Sequence, residues 1–249
     1  MENIKNIRER LNPIPGDYYY LHLTDLLQAL KKVSSVESLT ILDFGSGDSP
    51  YRELFPNSDY RRADIASELG ATIDYLIKPD GTVDERSQTF DLILSTQVLE
   101  HVPMPEKYLS ECFRLLKPGG RLVCTTHGSF PDHDCPSDYF RWTHDGLCLA
   151  ITNAGFFISA SAKLTCGTRA LFSLFELGNY SFDTEKTSLM SLFLLLVRKI
   201  YWHSRPMIHR RLDDRYGHES VVVENLERFA VYLGLMIVGI KNQDHPANS

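Results

Sequence analysis

Asp43, Gly45, Gly47 and Asp64 are the residues whose types and spacing first suggest chemistry. Thr40-Ile41-Leu42 reads as a short buried strand. Asp43-Phe44-Gly45-Ser46-Gly47 turns the chain at its end, and a helix is predicted beyond. A strand running into a glycine turn aims backbone N–H groups at a ligand on the edge of a parallel sheet. Glycine lets the backbone turn tightly and approach that ligand without a Cβ in the way. Asp64 follows near the spacing of about twenty residues at which a ribose-binding carboxylate is expected. Pro50 stands where a dinucleotide fingerprint has its third glycine. That argues against a nicotinamide dinucleotide and for a different nucleotide-like ligand. A tight connection with no ligand is the alternative reading of this segment alone.

The elements that must position these residues follow from periodicity. Residues 1–39 read as a polar lead-in, a Pro13-Ile14-Pro15-Gly16 turn and an amphipathic helix carrying Tyr18, Tyr19, Leu23, Leu26, Leu27, Leu30 and Val33. Tyr60–Ala63 reads as a second strand, Thr72–Ile77 as a third and Phe90–Ser95 as a strongly apolar fourth. Pro105–Lys117 is predicted to be an amphipathic helix stopped by Pro118-Gly119-Gly120. Arg121–Thr126 follows as a strand. Thr143 then caps a helix over His144–Asn153, Gly155 lies past its end, and Phe156–Ala162 is a further strand. Such β-α-β-α alternation predicts an α/β, doubly wound parallel sheet.

Composition narrows the class. The 249 residues are 43% hydrophobic and 23% charged, as in ordinary globular proteins. A formal charge of −6 disfavours a broad nucleic-acid surface. The five cysteines include no CxxC pair, so they read as reduced thiols of a cytoplasmic protein, and no metal set is assigned. The start of the chain lacks the apolar run of a signal peptide.

Four segments in order, LDFGSGDSPY at 42–51, ADI at 63–65, FDLILSTQVLEHV at 90–102 and ECFRLLKPGGRLVCTT at 111–126, resemble class I S-adenosylmethionine-dependent methyltransferases of the UbiE-like group. The resemblance implies a Rossmann-like seven-stranded sheet with its last strand antiparallel. It covers 40–162, with 230–242 completing the core. It implies that Asp43, Gly45, Ser46 and Gly47 surround the methionine portion of S-adenosyl-L-methionine. Asp64 would accept from both ribose hydroxyls, and Ile65 would pack on adenine. Asp80 and Gly81 would meet the adenine edge, and Ser95, Thr96 and Gln97 would line the methionine side.

A second segment, Phe130 to Thr143, resembles the H-x-x-P-x-D-[YF]-x-R-[YW]-T run of methyltransferases associated with bacterial surface-polysaccharide synthesis. It implies an acceptor site with Asp138, Tyr139, Arg141 and Trp142. Asp138 and Arg141 read equally well as a salt bridge bracing the loop. Methyl transfer to a hydroxyl needs orientation and benefits from a base. Histidine suits that task near neutral pH. His133 ranks first, His127 second and His101 third.

Residues 163–229 separate the sixth strand from Tyr232–Ile240, far more than a hairpin loop needs. This insert, with apolar runs at Leu171–Leu177 and Leu189–Val197 and several arginines, reads as a helical cap on the fold or on a second copy of the chain. A lid over the acceptor and a helix lying on an anionic membrane surface are the other readings. The functional expectation is O-methylation of a sugar or glycan-type acceptor. A quinone or natural-product acceptor is the alternative within the enzyme class, and a cofactor-binding scaffold is the alternative outside it.

Overall fold

The computed structural model describes residues 8–65, 73–133, 137–181, 189–216 and 231–242. The first residues of the lead-in, Thr72 of the expected third strand, Cys135, and insert positions 182–188 and 217–229 lie outside them. Helix α1 (Tyr20–Val33) precedes β1 (Thr40–Phe44), β2 (Asp59–Asp64), β3 (Tyr75–Leu76) and β4 (Phe90–Thr96). Then come α2 (Pro105–Leu115), β5 (Leu116–His127), α3 (His144–Asn153) and β6 (Phe156–Cys166). The insert supplies α4 (Gly167–Ser181) and α5 (Leu189–Tyr216) before β7 (Tyr232–Lys241).

One seven-stranded sheet runs in the order β3-β2-β1-β4-β5-β7-β6. β7 is antiparallel to both neighbours, and the remaining pairs are parallel. The two-residue period of a strand gives each face its own core. Leu42, Phe44, Ile93, Leu122, Cys124, Leu235 and Ile237 pack with Leu109 and Cys112 of α2 and with Leu147 and Ile151 of α3. Ile41, Leu92, Leu94, Val123, Met236 and Val238 meet Leu26, Leu27 and Leu30 of α1 on the other face. Thr143 caps α3 by accepting the Gly146 N–H at 3.1 Å. The four described cysteines are free thiols.

Three expectations are corrected. No α-helix follows the glycine turn of β1; a single 3-10 turn, Arg52–Leu54, stands there. Pro56 offers no N–H and disfavours helical backbone at Phe55, which takes φ −133° and ψ 60°. Buried Tyr51 and Phe55 fill the space that a helix would cover. Helix α2 ends at Leu115, not Lys117. Leu116 already pairs with Phe90, and the ladder resumes at Leu92 and Arg121, so Lys117–Gly120 is a bulge within β5. Lys241 at the end of β7 closes α2, its ammonium donating to the carbonyls of Phe113 (2.6 Å) and Leu116 (2.9 Å). β6 also runs on past Ala162 to Cys166, so the insert leaves the sheet later than the expected boundary.

The insert docks through buried polar groups. Arg169 of α4 is 1% exposed and donates to both carboxylate oxygens of Asp25 on α1, at 2.7 and 3.1 Å, and to Asp213 of α5 at 2.7 Å. The Tyr20 hydroxyl donates to the other Asp213 oxygen at 2.5 Å. Nearby, His209 accepts the Gly16 N–H at 3.0 Å and shares Glu176 with the Tyr201 hydroxyl at 2.8 Å. The insert is therefore tied to the turn before α1 and to α1 itself.

Removing one partner of a buried pair strands the other charge. Asp25→Ala is expected to lower unfolding stability in urea by about 3–5 kcal/mol. Replacing Asp25 and Arg169 together by apolar residues of similar size should recover most of that loss.

Candidate active site

The glycine turn and the ends of β1, β2, β4 and β5 meet at one edge of the sheet. Gly45 has φ +83°, and a Cβ there would stand 2.6 Å from a Val98 methyl. Glycine is thus required both by the turn and by close packing on the segment after β4. The Gly45 and Ser46 N–H groups donate to the Ala63 carbonyl, at 2.9 and 3.1 Å. Ser46 itself is buried. Gly47 has φ +48° with nothing within 4 Å of its Cβ position, so the tip of the turn is open to a ligand.

Asp64 closes the turn. One oxygen accepts the Gly47 N–H and the other the Ile65 N–H, both at 2.7 Å. A carboxylate has about four acceptor sites, so two backbone bonds leave room for ribose hydroxyls. Ile65 is 57% exposed, an apolar side chain standing free beside that carboxylate. Asp43 lies by strand alternation on the α1 face and accepts the Tyr60 hydroxyl at 2.7 Å. Burial, with Asp64 nearby, pushes its carboxyl up to about 7.

The remaining expected cofactor residues divide. One oxygen of Asp80 accepts both the hydroxyl (2.7 Å) and the N–H (3.0 Å) of Thr82, which closes the turn and holds the carboxyl below the usual range. Gly81 in that turn has φ +86° and open space around it. Ser95 is fully buried and shares a 2.8 Å hydrogen bond with the Tyr108 hydroxyl, so it belongs to the core and not to the site. Thr96 is half-buried at the end of β4. Gln97 adopts φ +58°, a strained conformation for a side chain of its size, fixed by its N–H to the Thr125 carbonyl at 2.9 Å. That bend swings the next turn, Leu99–His101, over the end of β5.

Glu100, which the sequence reading passed over, sits there with no exposed surface. One oxygen accepts the Thr126 hydroxyl at 2.7 Å, and the other is 2.7 Å from His127 Nδ1. Burial alone would raise this carboxyl; the adjacent His127 and Thr126 outweigh it and lower it. His127 stacks on Phe130 at 4.0 Å, and its ring centroid is 5.0 Å from that of His133. His22 of α1, also missed, lies 5.7 Å from His127, and burial pushes it down to about 3, so it stays neutral. The structure brings all three candidate histidines together. His101 is turned aside, its Nδ1 2.6 Å from the Ser137 carbonyl. The signal for Glu100 was its place beside His101, with two further histidines arriving from β5 and the following loop.

Arg141 braces the acceptor loop. It grips both oxygens of Asp138 and donates to the carbonyls of Phe130 (2.8 Å), Pro131 (2.7 Å) and Phe140 (2.8 Å). Asp138, held far below the carboxylate range by Arg141, also accepts the His133 N–H at 2.9 Å. The bracing alternative therefore holds, and neither residue is free for substrate. Trp142 packs on the core, while Tyr139 is 53% exposed.

A Rossmann-like sheet with a glycine turn closed by an aspartate at this edge is an architecture of S-adenosylmethionine-dependent methyltransferases. Residues 17–162 match the methyltransferase-domain family, and the chain belongs to it. It is 32% identical over 130 residues to a ubiquinone biosynthesis O-methyltransferase of Roseobacter denitrificans, over 47% of this chain. The match spans about half of that relative's length (52%). An S-adenosylmethionine-dependent methyltransferase from Mesorhizobium loti shares the fold with a TM-score of 0.52 and 14% identity, covering 87% of this chain and 97% of that one. The [4+2]-cyclase SpnF shares it with a TM-score of 0.54 and 16% identity, covering 97% and 93%. The fold alone thus does not decide the reaction.

The raised Asp43 carboxyl gives a pH test. Its folded value lies above the unfolded one, so the native chain holds an extra proton between 3.8 and about 7. Stability conferred by that proton is lost as pH rises through this window. Asp43→Asn is expected to gain thermal stability relative to wild type at pH 8, with the gap narrowing towards pH 4 as measured by circular dichroism melting.

Proposed function

We propose that the chain transfers the methyl group of S-adenosylmethionine to a hydroxyl oxygen of a small aromatic, quinol-like acceptor. The observation that carries this reading is a pairing at one sheet edge. The Gly45–Gly47 and Asp64 cradle lies at the same edge as the buried Glu100 and His127 and the half-buried His133, with Phe130 stacked on His127. The cofactor, when bound, supplies an electrophilic methyl carbon. The chain's task is to hold the acceptor oxygen in line at about 3 Å and to keep water out. Phe130 stacked on His127, with Tyr19 a further 6.1 Å from Phe130, suits a flat ring. His133 is the half-buried member at the mouth and meets the acceptor oxygen, with His127 behind it. The relative named for ubiquinone biosynthesis supports the same acceptor class. Asp138 and Arg141 are committed to the loop, which leaves the glycan reading to rest on Tyr139 and Trp142.

Calorimetric titration of S-adenosylmethionine and its demethylated product is expected to show micromolar binding that Asp64→Ala abolishes. His133→Ala should keep that affinity and lose about 100-fold or more in turnover on hydroxylated benzoates and quinols. A folded wild-type protein that binds neither compound would favour the scaffold reading.

A second reading concerns α5. Leu192, Leu196 and Ile200 are 55–60% exposed at four-residue spacing, with Phe193 59% exposed beside them. They form one apolar stripe, followed by exposed Lys199, Arg210 and Arg211 on the same helix. No helix among the described residues is long and apolar enough to cross a membrane. The stripe and cations fit the surface of an anionic bilayer, which would present a lipid-linked acceptor. Co-sedimentation with vesicles containing phosphatidylglycerol is expected for wild type and lost in Leu196→Asp/Ile200→Asp. Equal recovery of both proteins in the supernatant would remove this reading.

A further inference from the structure

Glu100, His127 and His133 each place one ligand atom within 4.8 Å of the other two. They come from three different parts of the chain: the turn after β4, the last residue of β5 and the loop beyond it. Glu100 is 0% exposed and His127 5%. Glu100 Oε1, His127 Nδ1 and His133 Nδ1 are all buried polar atoms without a hydrogen bond. The first two stand 2.7 Å apart, yet out of line for an N–H···O bond. His133 Nδ1 is 3.2 Å from Asp138, whose oxygens are already taken by Arg141 and by the His133 backbone.

An orphaned polar atom in a protein interior is uncommon and costly. All three orphans belong to residues whose ligand atoms lie within 4.8 Å of one another. The lone pairs of a carboxylate and two neutral imidazoles are well matched to a cation placed between them. Ligand atoms about 2.1 Å from a tetrahedral ion are themselves about 3.4 Å apart, a spacing inside the 4.8 Å that encloses these three.

We propose that Glu100, His127 and His133 hold a divalent transition-metal ion. Two nitrogens and one carboxylate suit zinc, iron(II), cobalt or nickel; magnesium and calcium prefer oxygen throughout. Supporting bonds are in place, as metal ligands require. Thr126 fixes the second oxygen of Glu100, and Asp138 fixes the backbone of His133. Three protein ligands leave coordination positions open towards the half-buried mouth at His133. An acceptor hydroxyl bound there would release its proton to solvent more readily. That role rests on the methyl-transfer reading; the metal site does not.

The test uses untagged full-length protein stripped with chelator and titrated with Co²⁺, followed by visible absorption and by elemental analysis after gel filtration. One equivalent is expected to bind with the absorption of a low-coordinate site. His133→Ala, at the mouth, and Glu100→Gln should each weaken binding by more than the 10–100-fold or so that a lost supporting bond costs. His203→Ala, on the exposed face of α5, should leave it unchanged. No saturable equivalent in folded wild type, or equal affinity in His133→Ala, overturns the site. If Glu100→Gln fails to fold, His133→Ala decides alone. Calorimetry with S-adenosylmethionine on the same samples separates the two ideas. Cofactor binding without metal uptake defeats only the metal site, and metal uptake without cofactor binding defeats only the methyl-transfer reading.

Discussion

A carboxylate with no exposed surface holds the functional edge of this sheet together. The side chain of Glu100 reaches Thr126 and His127 on β5, while its carbonyl accepts the N–H groups of Tyr139 and Phe140 at 2.8 and 3.3 Å. The Trp142 N–H completes the join by bonding the His127 carbonyl at 2.9 Å. The turn after β4, the end of β5 and the acceptor loop are thus one unit. A buried ionised group costs several kcal/mol unless its partners satisfy it. The site's geometry is therefore set by the need to surround this one residue, and every histidine of the cluster is placed by it directly or at one remove.

The two halves of the site are built on different principles. The cofactor half relies on backbone: two glycines in left-handed conformations, N–H groups returned to Ala63, and Asp64 gripping Gly47. Such a cradle changes little with side-chain identity and suits a ligand common to a whole class. The proposed acceptor half relies on side chains from α1, the turn after β4, the end of β5 and the loop beyond it. The two meet where Val98 presses on Gly45, one residue after the strained Gln97. A shift of the acceptor half is therefore felt directly in the cofactor turn.

How much of this could be read beforehand depended on the range of the interaction. Strands β1, β4 and β7 were legible because a short apolar run is a local signal, and Thr143 was legible as a cap because capping spans only a few residues. Ser95 was misplaced although the signal existed: it shares parity with Ile93, whose face is the core under α2. The missing helix after β1 could have been read from Pro50 and Pro56. Asp138 and Arg141 lay three residues apart, so the bracing reading was available and proved right. Glu100 was obscured by its context, since its partners Thr126 and His127 come from a neighbouring strand. The insert's docking was hidden for the same reason, only more so. Arg169 and Asp25 are 144 positions apart, and no periodicity links them.

That docking bears on the chemistry through α1. Tyr20 and Asp25 of this helix are bound by Asp213 and Arg169 of the insert. His22, about one turn before Asp25, lies against His127 and Phe130, each at 5.7 Å. Tyr19, just before the helix, leans on Phe130 as well. These residues are thus held from behind by α4, through the buried Asp25–Arg169 pair, and by α5, through the partly exposed Asp213. The insert need not touch the His127–Phe130 pair to influence it: by fixing α1 it fixes His22 and Tyr19 against that pair.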